Sequence, residues 1–174
     1  FSADSTAHVI EYHDAWELVE PEKYASIAWD ALHELYANSE DSLWIKDHFY
    51  LEQLADYQVF ITALCIEDNW GTKNAFISAR NVTADGDKKR FIYTPWDLDT
   101  ALGGSYNGQL FNGNYSVWQP IDIERSTMPV PFGICNKMPE FKTMLRNSWI
   151  KGRKGAFSVD SVRSKLYFYR DQLI

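Results

Sequence analysis

Asp97 and Asp99 stand in the stretch PWDLD, residues 95–99, directly behind the apolar run RFIY. Asp68 and Asn74 stand upstream in the polar run EDNWGTKN, so the four oxygen-bearing side chains fall within 32 residues. Carboxylates and amide oxygens are hard donors. Mg²⁺ takes one or two carboxylates and completes its shell with phosphate oxygens and water. Phosphoryl transfer uses such a set. Metal ions neutralise the phosphates, an Asn helps to hold a second metal, and an Asp orients the nucleophile or accepts its proton.

The elements that must position these groups can be read from the flanking pattern. AFISAR, residues 75–80, alternates as a strand, TADGDKK carries an Asp-Gly turn signal, and RFIYTPW is a second strand. A hairpin returns the chain to its starting end, and paired strands lie ~4.8 Å apart. The loop entering the first strand and the residues leaving the second therefore converge, with the carboxylates of Asp68 and Asp97 expected within about 10 Å of each other and facing an open cleft, not the core. In extended chain Asp97 and Asp99 project to one face, and Trp96 and Leu98 to the other. In protein kinases the catalytic Asp precedes the metal-binding Asn by five residues and a metal Asp follows later. Here Asp68 precedes Asn74 by six, and Asn69 stands at the five-residue spacing.

Each residue also has a plainer reading. Asp68 suits the loop after a helix, Asn74 a turn, and Asp99 an N-cap. Asp97, flanked by Pro95, Trp96 and Leu98, is the hardest to explain plainly, because a carboxylate buried among them would need a partner. The segment DLDTALGGSYNG is excluded as an EF-hand loop, because its sixth residue is Leu and its twelfth Gly, where that loop requires Gly and Glu.

The rest of the chain frames this cluster. Its 174 residues are 45% hydrophobic and 16% aromatic, which excludes a disordered chain and suits one core. The net charge is −7, whereas a nucleic-acid footprint needs a basic face, for which the local candidate is KGRKG. KGRKG, residues 151–155, is short and reads as a solvated helix end. No apolar run reaches the ~18 residues of a membrane span. Cys65, in an apolar run, reads as a small buried hydrophobe, and no disulfide to Cys135 is indicated. Helices are predicted over 21–37, 50–66, 139–151 and 159–173, the second central and buried. The third places Phe141, Met144, Leu145 and Trp149 on one face, and the fourth Val159, Val162, Leu166, Tyr169 and Leu173. Residues 100–134 are irregular and rich in Gly, Asn and Pro. The sum is an α+β chain with a helical majority. Its start at FSADST and its stop inside a helical pattern at Ile174 read as those of a piece of a longer protein.

The stretches DNWGTKNAFISARN and PWDLDTALGG, joined by a short hairpin, resemble the spore-coat H (CotH) kinase family. LEQLADYQVFITAL resembles the helix leading into that family's catalytic loop, and NKMPEFKTMLRNSWI and FSVDSVRSKLYFY its two closing helices, so the resemblance covers roughly residues 40–174. It implies an atypical protein kinase fold, ATP with Mg²⁺ or Mn²⁺, and extracytoplasmic protein substrates, so a secreted or surface-anchored location. By this resemblance Asp68 is the catalytic Asp, Asn74 and Asp97 are metal ligands, and Asp99 is their companion. Lys73 is assigned to phosphate, against simple surface exposure. Trp96 is assigned to adenine, against core packing.

The resemblance departs from the family at two points. The Asp-to-Asn spacing is one residue long. The sheet-rich N-terminal lobe, with its nucleotide-gripping Lys and Glu, has no counterpart in residues 1–20, which are expected to be a flexible start. Residues 1–174 are thus expected to be a C-lobe-like part that is inactive without the missing lobe. A second reading takes the segment SYNGQLFNGNYSVWQP, residues 105–120, as a non-catalytic surface for carbohydrate or protein.

Overall fold

A computed structural model of the chain describes residues 25–66, 69, 74–80, 90–99, 101–103 and 131–173. Among the described residues the chain is mixed helix and sheet, with six α-helices and one two-stranded antiparallel hairpin. The helices are α1 (Ala25–Ala37), α2 (Ser42–His48), α3 (Leu51–Ala63), α4 (Phe132–Cys135), α5 (Pro139–Lys154) and α6 (Val159–Leu173). The strands are β1 (Ala75–Arg80) and β2 (Arg90–Pro95), and a 3₁₀ turn follows at Ala101–Gly103.

The predicted helices are present, with ends shifted by up to three residues where they are described, residues 21–24 lying outside the described residues, and α2 and α4 are new. NSEDS reads as a breaker, whereas Asp41 within it caps a helix. Its Oδ1 accepts the backbone N–H groups of Leu43 at 2.9 Å and Trp44 at 3.1 Å. Those are donors that the first turn of a helix leaves unpaired. Asp and Ser are cap formers as well as turn formers, and only position separates the two roles.

The core gathers on α3. Leu54, Ala55, Tyr57, Gln58, Val59 and Ile61 are buried, so this helix is enclosed on most sides, as its apolar second half predicts. On one side it meets α5 through Phe141 and on another β2 through Phe91 and Tyr93. Phe91 and Tyr93 are two apart, so both point inward from one strand face. Tyr57, Tyr93 and Phe132 stack or meet edge-on, with ring centroids 5.3–5.7 Å apart. Phe49 extends the stack at 5.3 Å from Phe91.

Two glutamines of α3 bond across the core through Nε2, while the Oε1 of each is buried without a hydrogen-bond partner. Gln53 Nε2 donates to the Tyr93 carbonyl at 2.6 Å, and Gln58 Nε2 to Asn136 Oδ1 at 3.1 Å. Cys135 is buried, Cys65 is half-buried, and neither is in a disulfide. The basic end of α5, Lys151, Arg153 and Lys154, is solvated as expected and complements the negative end of the helix dipole. Within the described residues no helix is long and apolar enough to cross a membrane.

Candidate functional site

β1 and β2 pair in register from Ala75↔Pro95 to Arg80↔Arg90, which brings the entry of one strand beside the exit of the other. The pairing ends in one further bond, from Trp96 N–H to the Asn74 carbonyl at 2.8 Å. Asn74 and Asp97 therefore flank the same closing hydrogen bond, although 23 residues separate them. The predicted convergence of Asn74 with the PWDLD stretch is present.

Asn69 locks this end of the hairpin. Its side chain is fully buried, and Nδ2 donates to two carbonyls, that of Asn74 at 2.5 Å and that of Trp96 at 2.6 Å. The Asn69 carbonyl accepts the hydroxyl of Tyr57 at 2.9 Å, which ties the loop to α3. Two carbonyl acceptors fix the amide orientation, because the flipped group would set oxygen against oxygen. Oδ1 is left buried without a partner. Asn69 therefore acts as a brace, and the signal that could have found it was its five-residue spacing from Asn74.

Backbone strain collects in the same place. Among the described residues, the non-glycine positions with positive φ are Cys65 (50°), Asn74 (53°), Asp97 (50°) and Leu102 (59°). All lie between the end of α3 and the 3₁₀ turn. Left-handed backbone costs a non-glycine residue roughly 1–3 kcal/mol, less for Asn and Asp, and it clusters where a loop must hold one shape. At Cys65 the reason is a Schellman closure of α3. Ile66 N–H bonds the Ile61 carbonyl and Cys65 N–H that of Thr62, both at 3.1 Å, with Ile61 and Ile66 both buried. Leu102 N–H then donates to the Leu64 carbonyl at 2.6 Å, so the segment after PWDLD is tied back to the end of the same helix.

Two expectations for PWDLD change and one is met. Asp97 is exposed and does not face the core, so its carboxylate needs no buried partner. Its left-handed backbone breaks the extended geometry on which the common face of Asp97 and Asp99 depended. Trp96 is 61% exposed, not packed in the core, and its ring meets Phe76 edge-on at 5.2 Å. Asp99 is likewise exposed. Asp68 and Lys73 lie outside the described residues, as does the 105–120 segment, so the predicted approach of Asp68 to Asp97 concerns positions that are not described.

Asp97 and Asp99 are exposed, and Asp97 directly follows Trp96, whose N–H closes on the Asn74 carbonyl. Carboxylate and amide oxygens are the donor types that hard cations take. Among the described residues, no three His, Cys, Asp or Glu side chains are gathered as a closed metal cage. No protein-family model, characterised protein or solved structure matches the chain.

Proposed function

We propose that the chain is the catalytic-lobe portion of an atypical, ATP-dependent protein Ser/Thr kinase that uses Mg²⁺ or Mn²⁺. The observation that carries this reading is the braced junction at the open end of the hairpin. Asn69 fixes the carbonyls of Asn74 and Trp96, and an exposed carboxylate, Asp97, follows immediately on strained backbone. Phosphoryl transfer is mostly positioning and charge compensation, so a rigid base beneath exposed oxygen donors is what it requires.

In this proposal Asn74, Asp97 and Asp99 hold the cation, which supplies charge neutralisation for the phosphates. Asp68 accepts the proton of the substrate hydroxyl, Lys73 faces phosphate and the exposed ring of Trp96 stacks on the adenine. The protein substrate is extracytoplasmic, and a separate N-terminal lobe completes the phosphate clamp, so these 174 residues alone transfer no phosphate.

Calorimetric titration tests the metal half of the proposal. Mn²⁺ alone should bind weakly and ATP should bind better with Mn²⁺ than without it. Asp97→Ala should remove that metal-dependent gain. In a protein carrying both lobes, Asp68→Asn should keep nucleotide binding while transfer falls by about 10²- to 10⁴-fold, the range of a general base. A chain indifferent to metal and nucleotide, but retained on immobilised oligosaccharide, would instead be the binding module.

A further inference from the structure

The predicted apolar stripe of α6 exists, and among the described residues nothing covers it. Val159, Val162, Leu166, Tyr169 and Leu173 are all exposed, from 43% at Val162 to 88% at Leu173, and α6 buries no residue. Their spacing is 3, 4, 3, 4. That is the repeat of a coiled-coil seam, with Val159, Leu166 and Tyr169 among its a and d positions. The seam spans about 80° of the helix surface at 100° per residue, narrower than the ≳100° stripe of a helix that packs on a globular core.

The flanks of the seam carry one sign of charge. Arg163 and Arg170 occupy e positions and Lys165 a g position, while Asp160 and Asp171 fall at b and f, off the seam. Asp160 pairs with Arg163 at 3.7 Å and Asp171 with Arg170 at 2.5 Å, in exposed ion pairs that a partner's carboxylates can replace. The surrounding sequence agrees. Residues 139–174 hold eight Lys and Arg against three Asp and Glu, in a chain whose net charge is −7. A second copy of α6 would set basic flank against basic flank in either orientation. A bilayer surface calls for a broad apolar face, whereas the seam is narrow and Phe168 lies on the far side of the helix from it.

We infer that α6 docks an amphipathic partner helix with acidic residues flanking its own apolar seam. The apolar stripe supplies the contact, and the basic flanks select the sign of the partner. This surface is independent of the Asp97 loop, and the inference stands or falls apart from the kinase reading.

The test uses the whole chain and two labelled synthetic peptides of about three heptads, long enough to form helix. Both carry Leu at every a and d, one with Glu and the other with Lys at every e and g. By fluorescence anisotropy the Glu peptide should bind at least about tenfold tighter than the Lys peptide, and salt should weaken it. Leu166→Glu should lower that affinity about tenfold or more. Joint substitution R163E, K165E and R170E should reverse the preference. These positions are exposed, and circular dichroism should show unchanged helix content. Equal affinity for both peptides, or none for either, overturns the inference. So does a dimer in sedimentation that Leu166→Glu dissolves, or binding confined to phosphatidylserine vesicles.

Discussion

Asn69 and Asp97 stand on either side of one hydrogen bond, Trp96 N–H to the Asn74 carbonyl, and they are opposites. Asn69 is fully buried, its amide spent on two backbone carbonyls and its own carbonyl on Tyr57. Asp97 is exposed, on left-handed backbone, with its carboxylate toward water. The difference separates two jobs that the polar residues of a loop can have. One holds the chain in a shape that the chain alone would not keep. The other uses that shape. The first should be costly to alter and indifferent to ligand, and the second the reverse.

The largest effect is expected at the brace. Asn69→Asp keeps the volume but replaces two donors with a carboxylate facing two carbonyl oxygens in a buried site. A buried charge without a partner, added to two lost hydrogen bonds, should cost about 3 kcal/mol or more. Urea denaturation should show a lower midpoint at unchanged slope. Asn69→Ala, which removes the donors without adding charge, should cost less. A variant Asn69→Asp as stable as the parent would mean that the brace contributes nothing and that the contrast with Asp97 is false.

A smaller effect should follow pH, again on the buried side alone. Burial pushes the Cys135 thiol up to about 12, and raises the Tyr57 hydroxyl above its usual range. The unfolded chain releases the thiol proton near 9, while the folded chain retains it to about 12. Stability is therefore complete below pH 9 and is lost as pH rises through 9 to 12, on the order of 2 kcal/mol by about pH 10.5. Cys135→Ala should lose stability at neutral pH through the missing packing, but its decline with alkali should be shallower than the parent's. An equal decline would show that the thiol does not contribute.

The sequence carried much of this division, and the physical reasons for the failures are specific. The hairpin was legible because alternation and an Asp-Gly turn act over a few residues, and the meeting of Asn74 with PWDLD follows from strand pairing alone. The burial of α3 was legible from its apolar second half. Helix α2 was not, because Asp41 in NSEDS serves equally as turn or cap. The left-handed backbone of Asp97 was not, because nothing in its neighbours marks a φ of 50° at a residue other than glycine, and with it goes the extended geometry shared with Asp99. The end of α3 was hidden for a related reason. A Schellman closure is recognised by glycine, and here Cys65 takes the glycine's place.

The smallest effects should come from relieving that strain. Cys65→Gly puts the residue free of a Cβ where φ is 50°, and should gain about 1 kcal/mol less what the more flexible unfolded chain takes back. Asp97→Gly meets the same backbone but starts from a residue that tolerates it better, so its change in stability should stay within about 0.5 kcal/mol. Asp97→Ala retains the Cβ and loses the carboxylate, so it should be the less stable of the two by a few tenths. Both Asp97 variants should lose the metal-dependent gain in nucleotide affinity, while Cys65→Gly should leave it intact. That pattern would separate the carboxylate from the backbone that presents it. If Asp97→Gly were to bind nucleotide with Mn²⁺ as the parent does, the exposed carboxylate would have no part in metal binding, whatever the brace at Asn69 contributes.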